Sequence, residues 1–196
     1  MQKILLLAGD FTEDYETMVP FQALSMLGYQ VDAVCPGKKA GEFIKTAIHD
    51  FVGDQTYTEK PGHLFKLTKT FDEVDFDEFD MVVLPGGMPG TLNLKNHDGV
   101  RYVVKQYAKE GRYVGAICAA PTILKSLGVL EGRRATCYPG VEDEMEDVVL
   151  TETAVVVDEN IITSQGVGTA IDFGLKLIEI LDGEEKAKEI ADSIVF

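Results

Sequence analysis

Tyr113-Val114-Gly115-Ala116-Ile117-Cys118-Ala119-Ala120-Pro121-Thr122-Ile123-Leu124 reads as a strand that runs straight into a helix, with a cysteine at the junction. Tyr113–Ile117 is apolar and strand-like, and Pro121–Leu127 carries a helix that Gly128 ends. A nucleophile set at so sharp a turn needs small neighbours, because the backbone crowds there. Ala116 and Ala120, two residues to either side of Cys118, meet that need. The junction also sets the sulfur near a helix N-terminus, whose partial positive charge lowers a thiol pKa. Cys118 is therefore a candidate thiolate. The other reading is a small buried hydrophobe, a common fate of free cysteine.

The same alternation of strand and helix extends in both directions. Lys3–Ala8 is an apolar run, and Glu16–Leu27 carries a helical pattern that stops at Gly28. Gln30–Cys35 is a second strand, closed by Pro36-Gly37, and Asp80–Leu84 is a third, ending in Pro85-Gly86-Gly87. Val100–Glu110 reads as a helix capped by Gly111. Arg133–Cys137, Thr151–Val157 and Ile161–Ser164 read as strands; Thr169–Leu181 and Glu184–Ile194 are helices parted by Gly183. Strands spaced by helical segments predict βαβ units and a mostly parallel sheet with helices on both faces. Sites in such sheets form at the carboxyl ends of the strands. Lys38–Phe71 fits this plan worst, being long and polar, with His49, Gly53, Pro61-Gly62 and His63. It reads as one or two short strands plus an excursion, either functional, a subunit interface or a surface insertion.

Three other strand ends accompany the cysteine. Gly86-Gly87 can present backbone N–H groups to an anion with no Cβ in the way. Together with the N–H of Ala119 they form a candidate oxyanion hole, or a cradle for an oxidised sulfur. Gln165-Gly166-Val167-Gly168-Thr169 opens a helix but does not complete a dinucleotide fingerprint. Gly9-Asp10-Phe11 leads to Glu16, which on its own reads as one more solvated acid beside Glu13-Asp14. Cys35 and Cys137 read as packing residues.

The 196 residues carry 33 carboxylates against 18 Lys and Arg, a formal charge of −15, which argues against unaided binding to nucleic acid or to anionic membranes. A hydrophobic fraction of 45% and a charged fraction of 26% exclude disorder as the main state. One domain over residues 1–196 is expected, with chain enough for a core. No apolar run reaches the ~18 residues of a membrane span, and Met1-Gln2-Lys3 followed by Ile4 to Ala8 is too short for a signal peptide. Three cysteines, an odd count without a secretory signal or a Cys-x-x-Cys pair, point to a reducing, cytoplasmic setting and to no structural zinc.

Taken jointly, four stretches resemble the ThiJ/PfpI superfamily, which includes the parkinsonism-associated protein deglycase, oxidative-stress homologues, glutathione-independent glyoxalases and PfpI-type peptidases. They are Asp14-Tyr15-Glu16-Thr17 before Val19-Pro20, Leu84-Pro85-Gly86-Gly87, Ala116-Ile117-Cys118-Ala119-Ala120-Pro121 and Thr163-Ser164-Gln165-Gly166-Val167-Gly168-Thr169. The resemblance covers nearly the whole chain. It implies a flavodoxin-like three-layer α/β sandwich of the class I glutamine amidotransferase-like kind, and a homodimer or higher oligomer. It also implies that Cys118 is the nucleophile, with Glu16 beside it and backbone donors from Gly87 and Ala119. A buried, protonated Glu donates a hydrogen bond to a thiolate or sulfinate and shuttles a proton during aldehyde isomerisation. Residues 9–73 look like the glyoxalase and PfpI-type branch, residues 113–181 like the deglycase branch.

Two departures matter. The peptidase and glyoxalase branches usually set a His directly after the nucleophile, where this chain has Ala119; the deglycase branch sets one after a later strand, where this chain has Tyr138. A peptidase needs an acid for the leaving amine, so that reading recedes. His97 reads as an exposed loop residue and His63 as undecided. His49 corresponds to a position that approaches the partner subunit's site in the deglycase branch, so it is expected either to reach the Cys118 pocket, with a dimer interface as one route, or to remain an interface or surface His. The functional expectation is a cofactor-free, metal-free enzyme acting on a small α-oxoaldehyde such as methylglyoxal. The alternative is a redox sensor or chaperone built on an oxidisable Cys118.

Overall fold

The computed structural model describes residues 1–49 and 60–196. Six strands form the central sheet: β1 (Lys3–Leu7), β2 (Gln30–Val34), β5 (Met81–Leu84), β6 (Tyr113–Ile117), β9 (Val155–Asp158) and β10 (Ile161–Ser164). Their spatial order is β2-β1-β5-β6-β10-β9. Every neighbouring pair is parallel except β10–β9, so only an edge strand runs backwards. Parallel strands are covered on both faces, and their sequences must be apolar without alternation. Ile4 to Leu7 and Met81 to Leu84 are such runs and are fully buried.

The helices make the outer layers. α5 (Ala170–Asp182) packs on α1 (Asp14–Ser25) and on α6 (Glu184–Ile194), while α2 (Met88–Lys95) contacts α3 (Asp98–Glu110) and α4 (Pro121–Ser126). The result is the flavodoxin-like, class I glutamine amidotransferase-like sandwich. α3 shows the logic plainly. Val100, Val103, Val104 and Tyr107 fall on one face and are buried, and Gly111 ends the helix in the left-handed region at φ 74°. His97, expected to be an exposed loop residue, caps α3 by accepting the Val100 N–H and stacks edge-on against Phe71. Among the described residues no helix is long and apolar enough to cross a membrane.

Three expectations change. α2 was not foreseen, because Met88-Pro89-Gly90-Thr91 reads as turn chemistry, although Pro is tolerated in a helix's first turn. The expected strand Arg133–Cys137 shrinks to β7 (Arg134–Ala135), paired with the two-residue β8 (Val149–Leu150). Beyond Ala135 the backbone turns to other work: Thr136 N–H bonds Thr163 Oγ1, and Tyr138 N–H bonds the Cys118 carbonyl. Thr151–Val157 contracts to β9 because Thr151 N–H pairs with the Ala135 carbonyl instead.

The polar excursion contains an antiparallel hairpin, β3 (Phe43–Ile48) with β4 (Lys60–Lys66), irregular between Lys45 and Ala47. Residues 50–59 of the excursion, Gly53 among them, lie outside the described residues. The hairpin is bound to the segment after β1. Phe11 N–H donates to the Lys45 carbonyl at 2.7 Å and Ala47 N–H to the Thr12 carbonyl at 2.8 Å. Buried Asp14 adds a clamp, taking Thr46 Oγ1 on one oxygen and His63 Nδ1, at 2.9 Å, on the other. His63, left undecided by the sequence, thus ties β4 to α1.

Candidate functional site

β6 ends at Ile117 and the next residue takes φ 65°, a left-handed conformation that costs a non-glycine residue about 1–2 kcal/mol. Cys118 is held there from both sides. Its N–H donates to the Ser164 carbonyl and its own carbonyl accepts from Tyr138 N–H, both at 2.9 Å. Thr122 Oγ1 closes the turn on the Ala119 carbonyl at 2.8 Å. The elbow expected from the sequence is therefore present, and it is over-determined by its neighbours.

Glu16 arrives from the first turn of α1. Glu13 caps that helix by accepting Glu16 N–H at 2.8 Å, and Glu13 N–H in turn donates to the Gly86 carbonyl at 2.9 Å. The Glu16 carboxylate, with no exposed surface, accepts Gly86 N–H on Oε2 at 2.9 Å. Gly86 was expected to offer its amide to an anion in the site; that amide is committed to Glu16. The donors that reach the sulfur are the backbone N–H groups of Gly87 and Ala119. Both glycines are sterically required. A Cβ on Gly86 would sit 2.5 Å from Glu16 Oε2 and 2.6 Å from Cys118 Cβ; one on Gly87, at φ 86°, would sit 2.6 Å from Glu13 N.

His49 follows β3 directly, and the backbone bonds from Phe11 and Ala47 carry it to the pocket. Donor atoms of Glu16, His49 and Cys118 all lie within 4.8 Å of one another. The three belong to one chain, so His49 needs no dimer interface to reach the cysteine. They line a cavity of about 230 Å³ with Tyr138, Pro139 and the 165–169 loop. Gly166 faces both the sulfur and Glu16 Oε1 and leaves that side of the cavity open. The pocket's imidazole, that of His49, enters from the end of β3.

Burial dominates the electrostatics. It pushes the Cys118 thiol well above its ordinary range; the Glu16 charge pushes the same way, and the Gly87 and Ala119 amides pull back. The helix-end effect expected to make a free thiolate is outweighed, since α4 has only six residues and the sulfur is buried. Two acids sharing one pocket resist double ionisation. Burial holds His49 below its ordinary value, leaving it neutral at pH 7. Glu13, behind Glu16, is pushed up to about 7 by burial. Cys35 and Cys137 are buried and free, with thiols raised by burial to about 11.

Sequence reasoning passed over Glu13 and the in-chain route of His49. Glu13 had one usable signal, its place three residues before Glu16 at a helix start. The route of His49 depends on long-range backbone pairing that leaves no local trace. Chemically, a sulfur, a carboxyl and an imidazole around one cavity can add to a carbonyl, move a proton or hold a metal ion.

A parallel sheet whose fourth strand ends in a strained cysteine elbow, set against a buried glutamate, defines a cysteine-centred α/β class. The sequence profile of the DJ-1/PfpI family matches residues 2–180, and the chain belongs to that family. Protein DJ-1 homolog D of Arabidopsis thaliana is 52% identical over 142 residues, covering 72% of this chain and 36% of that protein. The chain thus spans little more than a third of that relative's length. A deglycase of Pyrococcus abyssi is 33% identical over 181 residues, covering 91% of this chain and 99% of its own. The solved structure of oxidised Toxoplasma gondii DJ-1 superimposes with a TM-score of 0.87 at 28% identity, covering 100% of this chain and 99% of its own.

Proposed function

We propose that the protein is a cysteine-dependent, glutathione-independent glyoxalase with deglycase-like scope, acting on α-oxoaldehydes such as methylglyoxal. The observation that carries this reading is the convergence of Cys118, Glu16 and His49 donor atoms within 4.8 Å around a small cavity. The archaeal relative named a deglycase supports it. Cys118 sulfur adds to the aldehyde carbon, and the Gly87 and Ala119 amides stabilise the anionic sulfur before attack. The hemithioacetal loses its C1 proton to Glu16, freed by proton transfer to the new alkoxide, and regains one at C2. The product is a lactyl thioester, which water cleaves to lactate and free Cys118. The sum is methylglyoxal plus water giving lactic acid. His49, neutral at pH 7, is placed to relay protons to the oxygens. A homodimer belongs to this proposal.

A redox reading has its own support. The Gly87 and Ala119 amides suit an oxidised sulfur, and the Toxoplasma relative was solved in an oxidised state. Glu16→Gln separates the two. It is expected to lower lactate formation by about 10²–10⁴-fold, as loss of a general acid–base does. Unchanged turnover, or an effect confined to how far peroxide oxidises Cys118, would overturn the enzymatic reading.

A further inference from the structure

Glu16, His49 and Cys118 present a carboxylate oxygen, an imidazole nitrogen and a sulfur around one point. We infer that this pocket is a binding site for a thiophilic divalent cation of the zinc type, held by Cys118 Sγ, His49 and Glu16, and that the bound ion reversibly blocks the site. The binding stands apart from the aldehyde chemistry; only the inhibition rests on the function proposed above.

Donor geometry comes first. A tetrahedral zinc ion with bonds of about 2.0–2.3 Å separates its ligand atoms by about 3.3–3.7 Å. The donors here lie within 4.8 Å of one another, so closure requires side-chain movement of about an ångström and no refolding. The donor set comes second. Thiolate plus imidazole selects zinc and its neighbours, whereas magnesium and calcium want shells of oxygen. Charge is the third argument. A thiolate and a carboxylate brought together in a buried pocket repel each other, and a dication held between them offsets that repulsion. The described residues lining the cavity include no lysine or arginine to compete with the ion.

The surroundings suit a bound ion. Gly86 N–H fixes Glu16 Oε2, the kind of support that orients metal-ligating carboxylates. The Gly87 and Ala119 amides favour sulfur in its anionic form. On the open side Gly166 has no side chain, leaving the fourth coordination position to water. Binding forms a metal–sulfur bond and releases the thiol proton to solvent, with no change of oxidation state. Because the sulfur and the carboxylate are both engaged, neither is available to an aldehyde.

The test titrates the reduced, tag-free chain with zinc chloride by calorimetry, and with cobalt(II), whose thiolate charge-transfer band reports a metal–sulfur bond directly. One equivalent is expected, with a cobalt–thiolate band. Cys118→Ser should abolish that band, His49→Ala should weaken zinc at least tenfold, and Cys137→Ala should change neither. Circular dichroism of each variant guards against loss of fold. Absence of zinc binding at micromolar concentrations would overturn the inference, as would a cobalt band that survives Cys118→Ser. The two readings fail separately. Zinc bound through Cys118 in a protein that makes no lactate would sink the glyoxalase reading alone. Lactate formation undisturbed by an equivalent of bound zinc would sink the inhibition.

Discussion

Gly86 occupies a point where three chain segments meet, with Glu16, Cys118 and the Ile117 carbonyl all inside contact distance of a missing Cβ. Two of those obstacles are tightly held, so neither can yield. Gly86→Ala is therefore expected to cost stability by about 1–3 kcal/mol, as overpacking does, and to displace Glu16 from the sulfur. Thermal melting and the rate of Cys118 alkylation check this together; an unshifted melt with unchanged alkylation would refute the steric account. His49 makes a different prediction. Its side chain is half-buried, follows a strand fixed by backbone bonds, and closes one wall of the cavity. His49→Ala should leave the melt within about 1 kcal/mol of the parent and lower turnover at least tenfold. At this scale Cys118 was legible because a strand-to-helix junction with flanking alanines is a local pattern. Glu16 was legible only through resemblance, since one acid among several carries no mark of its burial.

α1 begins on an unusual cap. Glu13 is 3% exposed and accepts the Glu16 N–H, yet burial raises its pKa from 4.5 to about 7. A carboxyl raised in the fold binds its proton more tightly there than in the unfolded chain. Its contribution to stability is full below pH 4.5 and is lost as pH rises through 7. The shift corresponds to about 3 kcal/mol. Glu13→Gln keeps a side-chain acceptor for the cap and removes the ionisation. Denaturant midpoints of the variant should be flatter between pH 5 and pH 8, and higher than the parent's at pH 8. A parent and variant with parallel profiles would place Glu13 in a wetter setting than the structure gives. Elements were legible in proportion to how local their causes are. β1, β5, β6 and β10 announced themselves as apolar runs, and α3 by its 3.6-residue period. α2 hid behind Pro89-Gly90, and β7 lost residues to bonds with Thr163 and the elbow, partners remote in sequence. The one or two short strands expected in the excursion are the hairpin β3–β4; their pairing and docking were not legible, because they are specified by the chain the hairpin docks on.

Across the whole molecule, the sheet brings four strand ends to one edge, and the cavity forms where the ends of β5, β6 and β10 meet the start of α1 and the end of β3. The proposed homodimer makes a simple claim at this scale. Met26, Ile171, Ile194 and Phe196 are exposed around a cavity of about 360 Å³ lined by α1, α5, α6 and the two residues after α6. Sedimentation equilibrium at micromolar protein should give twice the chain mass, and a monomer at that concentration would contradict it. The central claim, however, is that Cys118 turns over an α-oxoaldehyde with Glu16 as its proton carrier. The most direct test incubates parent protein and Cys118→Ala with methylglyoxal in glutathione-free buffer and measures lactate. Sustained, multiple-turnover lactate from the parent and none above background from Cys118→Ala is the predicted result. A parent that forms no lactate, or a Cys118→Ala variant that forms as much, would contradict the account.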